Sequence, residues 1–259
     1  MTVNPDLPQT ILITGATGGI GGALAEAYAD TGVTLILQGR NVDRLAELAA
    51  TCAARGARVL TKALDVRDRS ALVAWLTEVS EQEAPDLVIV NAGVNTNIGP
   101  EGKGERWAEV EALIEVNVLA AMATADAVLP AMRRRGGGQI ALISSLAAWF
   151  GLPVTPSYCA SKAAVKAYGE ALRGWLAQEG IRVNVVMPGY VESAMCRSMP
   201  GPKPFLWTPG RAARAIRCGL ENNRARITFP FPLDLGTWFL AALPASVSER
   251  IVRWLGYRG

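Results

Sequence analysis

Short apolar segments alternate with longer segments of helical spacing along most of this chain. The apolar segments begin near positions 10, 34, 57, 86, 138, 181 and 225, and one stretch of helical periodicity lies between each pair of neighbours. Strands and helices that alternate in this way form a parallel sheet with helices on both faces. Right-handed crossovers then make a doubly wound sheet of about seven strands the expected topology. The sequence therefore predicts an α/β fold.

The composition is that of a globular protein, and no linker or internal repeat divides the chain. Half of its 259 residues are hydrophobic and 19% are charged. We predict a single domain over residues 1–259 with an apolar tail over residues 230–259. A formal net charge of +3 with scattered basic residues does not indicate a nucleic-acid partner. The first ten residues lack the basic and apolar regions of a signal peptide. The four cysteines, at 52, 159, 196 and 218, match no metal pattern and indicate reduced thiols of a cytoplasmic protein.

A glycine-rich turn follows the first predicted strand. The segment "ILITGATGGIGG" runs from apolar residues into a series of glycines and then into a helical stretch. Such a turn lets backbone N–H groups at the start of a helix approach a pyrophosphate. Its position between a strand and a helix predicts a dinucleotide site in a Rossmann-type sheet.

Proton chemistry in this chain must use a group other than imidazole, because the sequence contains no histidine. This excludes Cys/His zinc sites and Ser-His-Asp mechanisms, and we predict no metal site. Tyr158 and Lys162 stand four residues apart in "SYCASKAAVKAYG", so on a helix they share one face. A lysine ammonium favours tyrosinate, and we expect it to lower the pKa of Tyr158 from its ordinary value of about 10. Tyr158 is the predicted general acid or base.

Several motifs follow one another in an order that resembles the short single-domain branch of the short-chain dehydrogenase/reductase family. They are the turn Thr14-Gly15-x-x-x-Gly19-x-Gly21, "NAG" at 91–93, Tyr158-x-x-x-Lys162 and the loop that starts at Pro188-Gly189. Gly15, Gly18 and Gly21 also fit the family's extended branch, which includes sugar-nucleotide epimerases. The chain is too short for the extra substrate domain of that branch, and "NAG" is typical of the short one. The resemblance covers roughly residues 8–230.

The resemblance implies hydride transfer between a nicotinamide cofactor and a carbonyl or alcohol. It assigns catalytic roles to Asn117, Ser145, Tyr158 and Lys162. In the family's pattern Ser145 holds the substrate oxygen, Lys162 also binds the nicotinamide ribose, and Asn117 positions a water that links Lys162 to solvent. The positions that match the cofactor-binding residues are Gly15, Thr17, Gly18, Gly19, Ile20, Gly21, Arg40, Asp65, Val66, Asn91, Ala92, Gly93, Tyr158, Lys162, Pro188, Gly189, Val191 and Ser193.

The second predicted strand ends in "LQGRN", where NAD and NADP are distinguished. Enzymes that use NAD often carry an acidic residue there, bound to the ribose 2′-hydroxyl. Gly39 stands at that position and Arg40 follows, and an arginine suits a 2′-phosphate in charge and geometry. We therefore predict NADP(H), with NAD(H) as the less favoured alternative. Gly18 stands where many NADP-using relatives have a second basic residue. The resemblance also implies that Asp65 contacts the adenine amino group.

Two loops, at 147–156 and 189–207, are expected to form the substrate pocket by the same resemblance. Aromatic and methionine side chains in loops tend to line pockets or cover a core. The loops carry Trp149, Phe150, Leu152, Met195, Met199, Phe205 and Trp207. These residues favour an apolar substrate.

The tail after Pro230 is apolar and contains tryptophans, although Asp234 and Pro244 interrupt it too much for a membrane span. Its last part predicts a helix in which Val247, Ile251, Trp254 and Leu255 share one face and Arg250, Arg253 and Arg258 lie elsewhere. The favoured interpretation is that this face docks on the domain or on a second subunit. A peripheral membrane contact is the alternative.

Assembly and reaction type each leave more than one possibility. Apolar residues occur on several sides of the predicted helices at 105–135 and 158–179. The resemblance suggests that these helices pair across a two-fold axis in a homodimer or homotetramer. Besides the dehydrogenase, two functions stay open: a non-catalytic dinucleotide-binding sensor or structural subunit, and an epimerase or dehydratase that retains NAD.

Overall fold

A seven-stranded parallel sheet forms the centre of the protein, in a computed structural model that describes residues 8–99 and 102–257. Residues 1–7, which include most of the segment judged not to be a signal peptide, and Arg258 lie outside these ranges. The strand order is β3-β2-β1-β4-β5-β6-β7, and every neighbouring pair is parallel. The strands are β1 (Thr10–Ile13), β2 (Thr34–Gly39), β3 (Arg58–Ala63), β4 (Leu87–Val90), β5 (Gly138–Ile143), β6 (Ile181–Pro188) and β7 (Arg226–Phe229).

Helices connect the strands and cover the sheet on both sides, which confirms the predicted doubly wound α/β fold. They are α1 (Gly19–Tyr28), α2 (Val42–Ala53), α3 (Arg69–Gln82), α4 (Trp107–Ile114), α5 (Ala120–Arg135), α6 (Pro156–Leu176), α7 (Ala194–Ser198), α8 (Pro209–Glu221), α9 (Leu233–Ala242) and α10 (Ala245–Trp254). Alternating residues of one strand enter opposite layers. Ile11 and Ile13 pack with α1, α2 and α8, whereas Leu12 packs with α3, α5 and α6.

The order of the strands creates a crevice at their carboxyl ends. The chain leaves β1 toward β2 on one side, and β4 returns to the other side of β1. Loops after neighbouring strands therefore diverge between β1 and β4, which is where ligands bind in open sheets of this type. Gly15, Asn91, Ser145 and Gly189 all follow strand ends at this edge.

The predicted helix at 105–135 is interrupted by a π-helical turn, Glu115–Leu119, between α4 and α5. Asn117 lies in this turn. Its side chain accepts a hydrogen bond from the Val94 N–H (2.8 Å) and donates one to the Val94 carbonyl (2.9 Å). Single π turns of this kind often mark functional positions. The stretch Trp107–Arg135 is also long and apolar enough to cross a bilayer, but 61% of its apolar window is buried inside the protein, as in a core helix.

The tail forms two helices, α9 and α10, separated at Pro244, and its inward face differs from the predicted one. Ser248 and Val252 are the buried residues of α10, whereas Trp254 is exposed. The prediction that Val247, Ile251, Trp254 and Leu255 form one docking face is therefore wrong. The Ser248 hydroxyl donates to the Leu240 carbonyl of α9 at 2.7 Å, and Val252 packs with Val154 in the loop after β5.

Candidate active site

The glycine turn after β1 is packed directly against the end of β4. Gly15 has φ +63°, and a Cβ there would lie 2.7 Å from Ala92 Cα, so this position requires glycine. The Asn91 side-chain amide donates to the carbonyls of Thr14 (3.0 Å) and Gly15 (2.9 Å). Gln38 supports the turn from the other side, because its side-chain amide oxygen accepts from the Gly15 N–H at 2.9 Å. Sequence analysis did not identify Gln38.

The N-terminus of α1 offers backbone donors to an anion. Gly18 is the N-cap, and no side chain of the described residues caps this helix end. The first turn also contains no acidic residue. Gly18, Gly19 and Ile20 line the large cavity at the sheet edge, so the positive end of the helix dipole faces that cavity.

This cavity has a volume of about 630 Å³ and extends from the glycine turn to the tail helices. All of the predicted catalytic and cofactor residues line it except Gly21 and Asn117. A Cβ on Gly21 would lie 2.5 Å from the Gly15 carbonyl oxygen, so Gly21 allows α1 to pack on the turn rather than touching a ligand.

Asn117 is buried behind the cavity wall. In addition to its two bonds with Val94, its amide donates to the Ser161 hydroxyl at 3.0 Å, and Ser161 donates to the Tyr158 carbonyl at 2.8 Å. Its position still adjoins the cavity, because a Cβ on Gly93 would lie 3.4 Å from both Asn117 Oδ1 and Lys162 Nζ. In this structure Asn117 holds the backbone around the site, and the water-positioning role stays a prediction.

Tyr158 and Lys162 lie on the buried face of α6, beside Ser145 at the end of β5. Burial raises the pKa of Tyr158 to about 12, and hydrogen bonding with Ser145 opposes that rise. The prediction that Lys162 lowers the pKa of Tyr158 is wrong for the protein alone. Lys162 Nζ lies 5.7 Å from the centre of the tyrosine ring and donates to the Ile143 carbonyl at 3.0 Å. Burial lowers the pKa of Lys162 itself to about 8.

The hydroxyl of Ser145 lies at the carboxyl end of β6. It accepts from the Ala147 N–H (3.1 Å) and reaches the Pro188 carbonyl at 3.4 Å. Ser193 also lines the cavity, but its hydroxyl accepts from the Cys196 N–H at 3.0 Å and caps α7. The two serines are therefore fixed by backbone contacts next to the cavity.

One end of the cavity is basic. Arg40 lies on its wall as predicted, and Arg44, which sequence analysis missed, lies there too. Asn41 caps α2 by accepting from the Arg44 N–H at 2.9 Å, which brings the first turn of α2 to the strand end. The Asp65 carboxylate binds the Arg67 guanidinium at 2.6 Å. Hydrogen bonds from Arg67 chiefly hold the pKa of Asp65 below its usual range, and the charge of Arg40 adds to this.

The opposite end of the cavity is mainly apolar, although Arg197 of α7 also belongs to the lining. Phe150, Leu152, Met195 and Met199 line it as predicted. Trp149, Phe205 and Trp207 are not part of its lining. Trp149 lies beneath Lys166 Nζ (4.5 Å from the ring centre), Trp207 stacks on Phe229 at 4.9 Å, and Phe205 is exposed.

The tail supplies part of the apolar wall, which sequence analysis did not locate. Its lining residues are Leu233, Thr237, Leu240, Val252, Leu255 and Tyr257. The Tyr190 and Tyr257 hydroxyls are 2.7 Å apart, and Tyr257 donates to the Pro202 carbonyl at 2.9 Å. The tail is thereby bonded to the loop after β6 that adjoins Ser145.

Sequence comparison identifies the family. A profile of the short chain dehydrogenase family matches residues 9–202. The chain belongs to the short-chain dehydrogenase/reductase family. It is an oxidoreductase that acts on CH–OH or C=O groups, as this family does.

Relatives resemble the chain over nearly its whole length. An uncharacterized oxidoreductase of Mycobacterium tuberculosis is 41% identical over 240 residues, which cover 90% of this chain and 94% of the relative. Another, from Myxococcus xanthus, is 34% identical and covers 95% and 97%. A short-chain dehydrogenase from Sphingobium yanoikuyae, solved in complex with NADPH, has a TM-score of 0.80, 27% identity and 97% coverage of both chains.

Proposed function

We propose that the protein transfers a hydride between NADP(H) and an apolar carbonyl or alcohol, with Tyr158 as the general acid or base. One observation carries the proposal. A single cavity has a glycine turn and two arginines at one end, an apolar wall at the other, and Ser145, Tyr158 and Lys162 between them. A dinucleotide, a reacting oxygen and an apolar substituent would be accommodated in that order.

The residues at the basic end fit an NADP(H) cofactor. The uncapped N-terminus of α1 suits the pyrophosphate, and Gly15, Gly18 and Gly19 line the cavity beside it. Arg40 and Arg44 suit a 2′-phosphate, and the NADPH complex of the Sphingobium yanoikuyae relative is consistent with this choice. The nicotinamide ring, when bound, would supply or accept the hydride.

The protein's own groups would manage the proton. A tyrosine with a pKa of about 12 is neutral at pH 7, which is the form required to donate a proton to a carbonyl oxygen during reduction. Ser145 would hold that oxygen by a hydrogen bond. Lys162, when protonated, would stabilise the tyrosinate that remains, because opposite charges interact strongly in a buried site. Oxidation of an alcohol would use the same groups in reverse.

The proposal is tested by measuring the loss of NADPH absorbance with a panel of apolar and polar carbonyls, and the reverse reaction with alcohols. We expect turnover with NADPH on apolar substrates. Tyr158→Phe should lower kcat by about 10²–10⁴-fold while the Kd for NADPH stays nearly the same, because only the hydroxyl is removed. Tyr168→Phe, on the same helix but outside the cavity lining, is the matched control. Retained NAD without net turnover would instead indicate an epimerase or dehydratase.

A further inference from the structure

α9 has two apolar faces, and only one of them is covered. The inward face lines the cavity through Leu233, Thr237 and Leu240. The outward face contains Leu235, Trp238 and Phe239, whose side chains are 54%, 49% and 54% exposed. None of the ten residues of α9, all of which the structure describes, is buried. A helix that is apolar around its circumference requires a second partner on its uncovered side.

The outward face of α9 carries no charge. Asp234 is the only charged residue of this helix, and its carboxylate is already engaged with neighbouring groups. It accepts hydrogen bonds from the Thr228 hydroxyl (3.0 Å) and from the Leu235 N–H (2.8 Å). The face that is left open therefore presents no carboxylate to a partner.

α10 adds basic charge and a tryptophan to the exposed surface of the tail. Val247, Arg250 and Trp254 follow at intervals of three and four residues, so they share one face, and Trp254 is 83% exposed. Among the described residues, Arg250 has no carboxylate partner, whereas Arg253 forms an ion pair with Glu249 at 3.7 Å. We call this set of exposed residues the tail ridge: Leu235, Trp238, Phe239, Val247, Arg250 and Trp254.

We propose that the tail ridge binds the surface of an anionic lipid bilayer. Segments that bind at such surfaces combine aromatic and aliphatic side chains, which enter the headgroup region, with basic residues that attract anionic lipid. The tail ridge has this combination. A second copy of the chain would place Arg250 of both subunits in one interface, whereas an anionic surface neutralises this charge. Charge therefore favours lipid over a second copy.

The same two helices separate the bilayer surface from the cavity. Leu240 and Val252 line the cavity from within, while Trp238 and Trp254 face outward from the same helices. A bound protein would thus hold the apolar end of its cavity beside the hydrocarbon from which an apolar substrate can be drawn. This link to the substrate rests on the proposed function, but lipid binding does not, and the two are tested separately.

The test is co-sedimentation of the full chain with vesicles of phosphatidylcholine mixed with phosphatidylserine, at low salt where electrostatic attraction is least screened. We expect the protein to sediment with these vesicles and much less with phosphatidylcholine alone. Arg250→Glu should lower the partition coefficient at least fivefold, since each basic residue near an anionic surface contributes about that factor. Trp238→Ser with Phe239→Ser should lower it further. Val73→Ser, which alters a 37% exposed apolar side chain on α3, away from the tail and from the helices predicted to pair, is the control and should bind as the unaltered protein does.

Three results would overturn the proposal. One is no sedimentation of the unaltered protein with anionic vesicles at low salt. Another is binding that Arg250→Glu and the double variant leave unchanged. The third is a fall in molecular mass by light scattering in the double variant, which would make the ridge a contact between copies. Because the altered side chains are exposed, circular dichroism should show an unchanged fold, and none of these readouts depends on enzyme activity.

Discussion

Burial, rather than the neighbouring charge, sets the protonation of the two central residues. Tyr158 and Lys162 are only 8% and 5% exposed, and both pKa values move toward the neutral form of the side chain. The spacing of Tyr and Lys predicts their proximity, but the depth of α6 in the core decides the direction of the shift. The protein alone thus keeps a neutral phenol ready to donate a proton.

The lowered pKa of Lys162 makes the stability of the fold depend on pH. Between about pH 8 and pH 10.5 the unfolded chain carries a proton on this lysine that the folded protein has lost. The unfolding free energy should therefore rise with pH across this window, by an amount on the order of 3 kcal/mol at about 1.4 kcal/mol per pKa unit. Lys162→Met should lack this rise, since it has no group to titrate. Parallel urea titrations of both proteins measure the difference, and equal pH slopes would contradict the burial argument.

Arg40 and Arg44 should act together in cofactor choice. Arg40→Leu and Arg44→Leu should each weaken NADPH binding by about tenfold or more and leave NADH binding almost unchanged, because a charge-assisted hydrogen bond contributes about 1.5–3 kcal/mol. Isothermal titration with both cofactors measures this. Arg69→Leu, an exposed arginine at the start of α3 outside the cavity lining, is the control. Equal losses for NADPH and NADH would show that neither arginine contacts the 2′-phosphate.

At the scale of elements, the tail helices complete a pocket that the sheet leaves open. α9 and α10 pack over the loops after β5 and β6, and the Tyr190–Tyr257 hydroxyl pair joins the tail to the second of these loops. Pro244 divides the tail into two short helices, which lets both reach the pocket from one chain segment. The tail is therefore part of the wall of the site.

Loss of the Tyr257 hydroxyl should loosen this wall. Tyr257→Phe removes the hydrogen bonds to Tyr190 and to the Pro202 carbonyl, and we expect a loss of about 1 kcal/mol in unfolding free energy. KM for the apolar substrate should rise while the Kd for NADPH stays constant. Tyr190→Phe added to Tyr257→Phe should cost much less than the sum of the single changes, because the two hydroxyls share one bond. Strict additivity in urea unfolding would show that the pair is not coupled.

At the scale of the whole molecule, one sheet unites residues from both ends of the chain. β1 and β7 belong to the same seven strands, and the cavity takes residues from Gly15 to Tyr257. The exposed apolar residues outside the cavity bear on assembly. Trp107, Leu119 and Trp175 remain exposed on the helices for which we predict pairing.

The predicted assembly is a dimer or tetramer. Light scattering at micromolar concentration should give two or four times the chain mass of 27.5 kDa. Leu119→Glu with Trp175→Glu should lower that mass, since charged residues in an apolar contact between the π-helical turn and α6 of two copies would be desolvated. Trp254→Glu, on the tail, should leave the mass unchanged. A monomeric mass for the unaltered protein would contradict the prediction.

The local parts of the site were accessible from the sequence because each depends on chemistry between near neighbours. The turn after β1 requires glycine at position 15. Tyr158 and Lys162 are four residues apart, so they lie on the same face of any α-helix. Arg44 and Gln38 were missed because their significance depends on how α2 and β2 lie against the glycine turn. Trp149 was expected in the pocket because it is an aromatic residue in the loop at 147–156, whereas Lys166 and Arg226 lie over its ring elsewhere.

The sequence by itself determined the strand and helix order, the doubly wound sheet and the family, since these follow from periodicity, turn chemistry and motif spacing along the chain. Tertiary structure alone decided three features. It set the direction of the Tyr158 pKa shift, turned Ser248 and Val252 rather than Trp254 inward, and made the tail a wall of the cavity. Each of these depends on which surfaces meet across large separations in the chain. Residues far apart in the sequence bury and contact one another only after the sheet has brought their segments together.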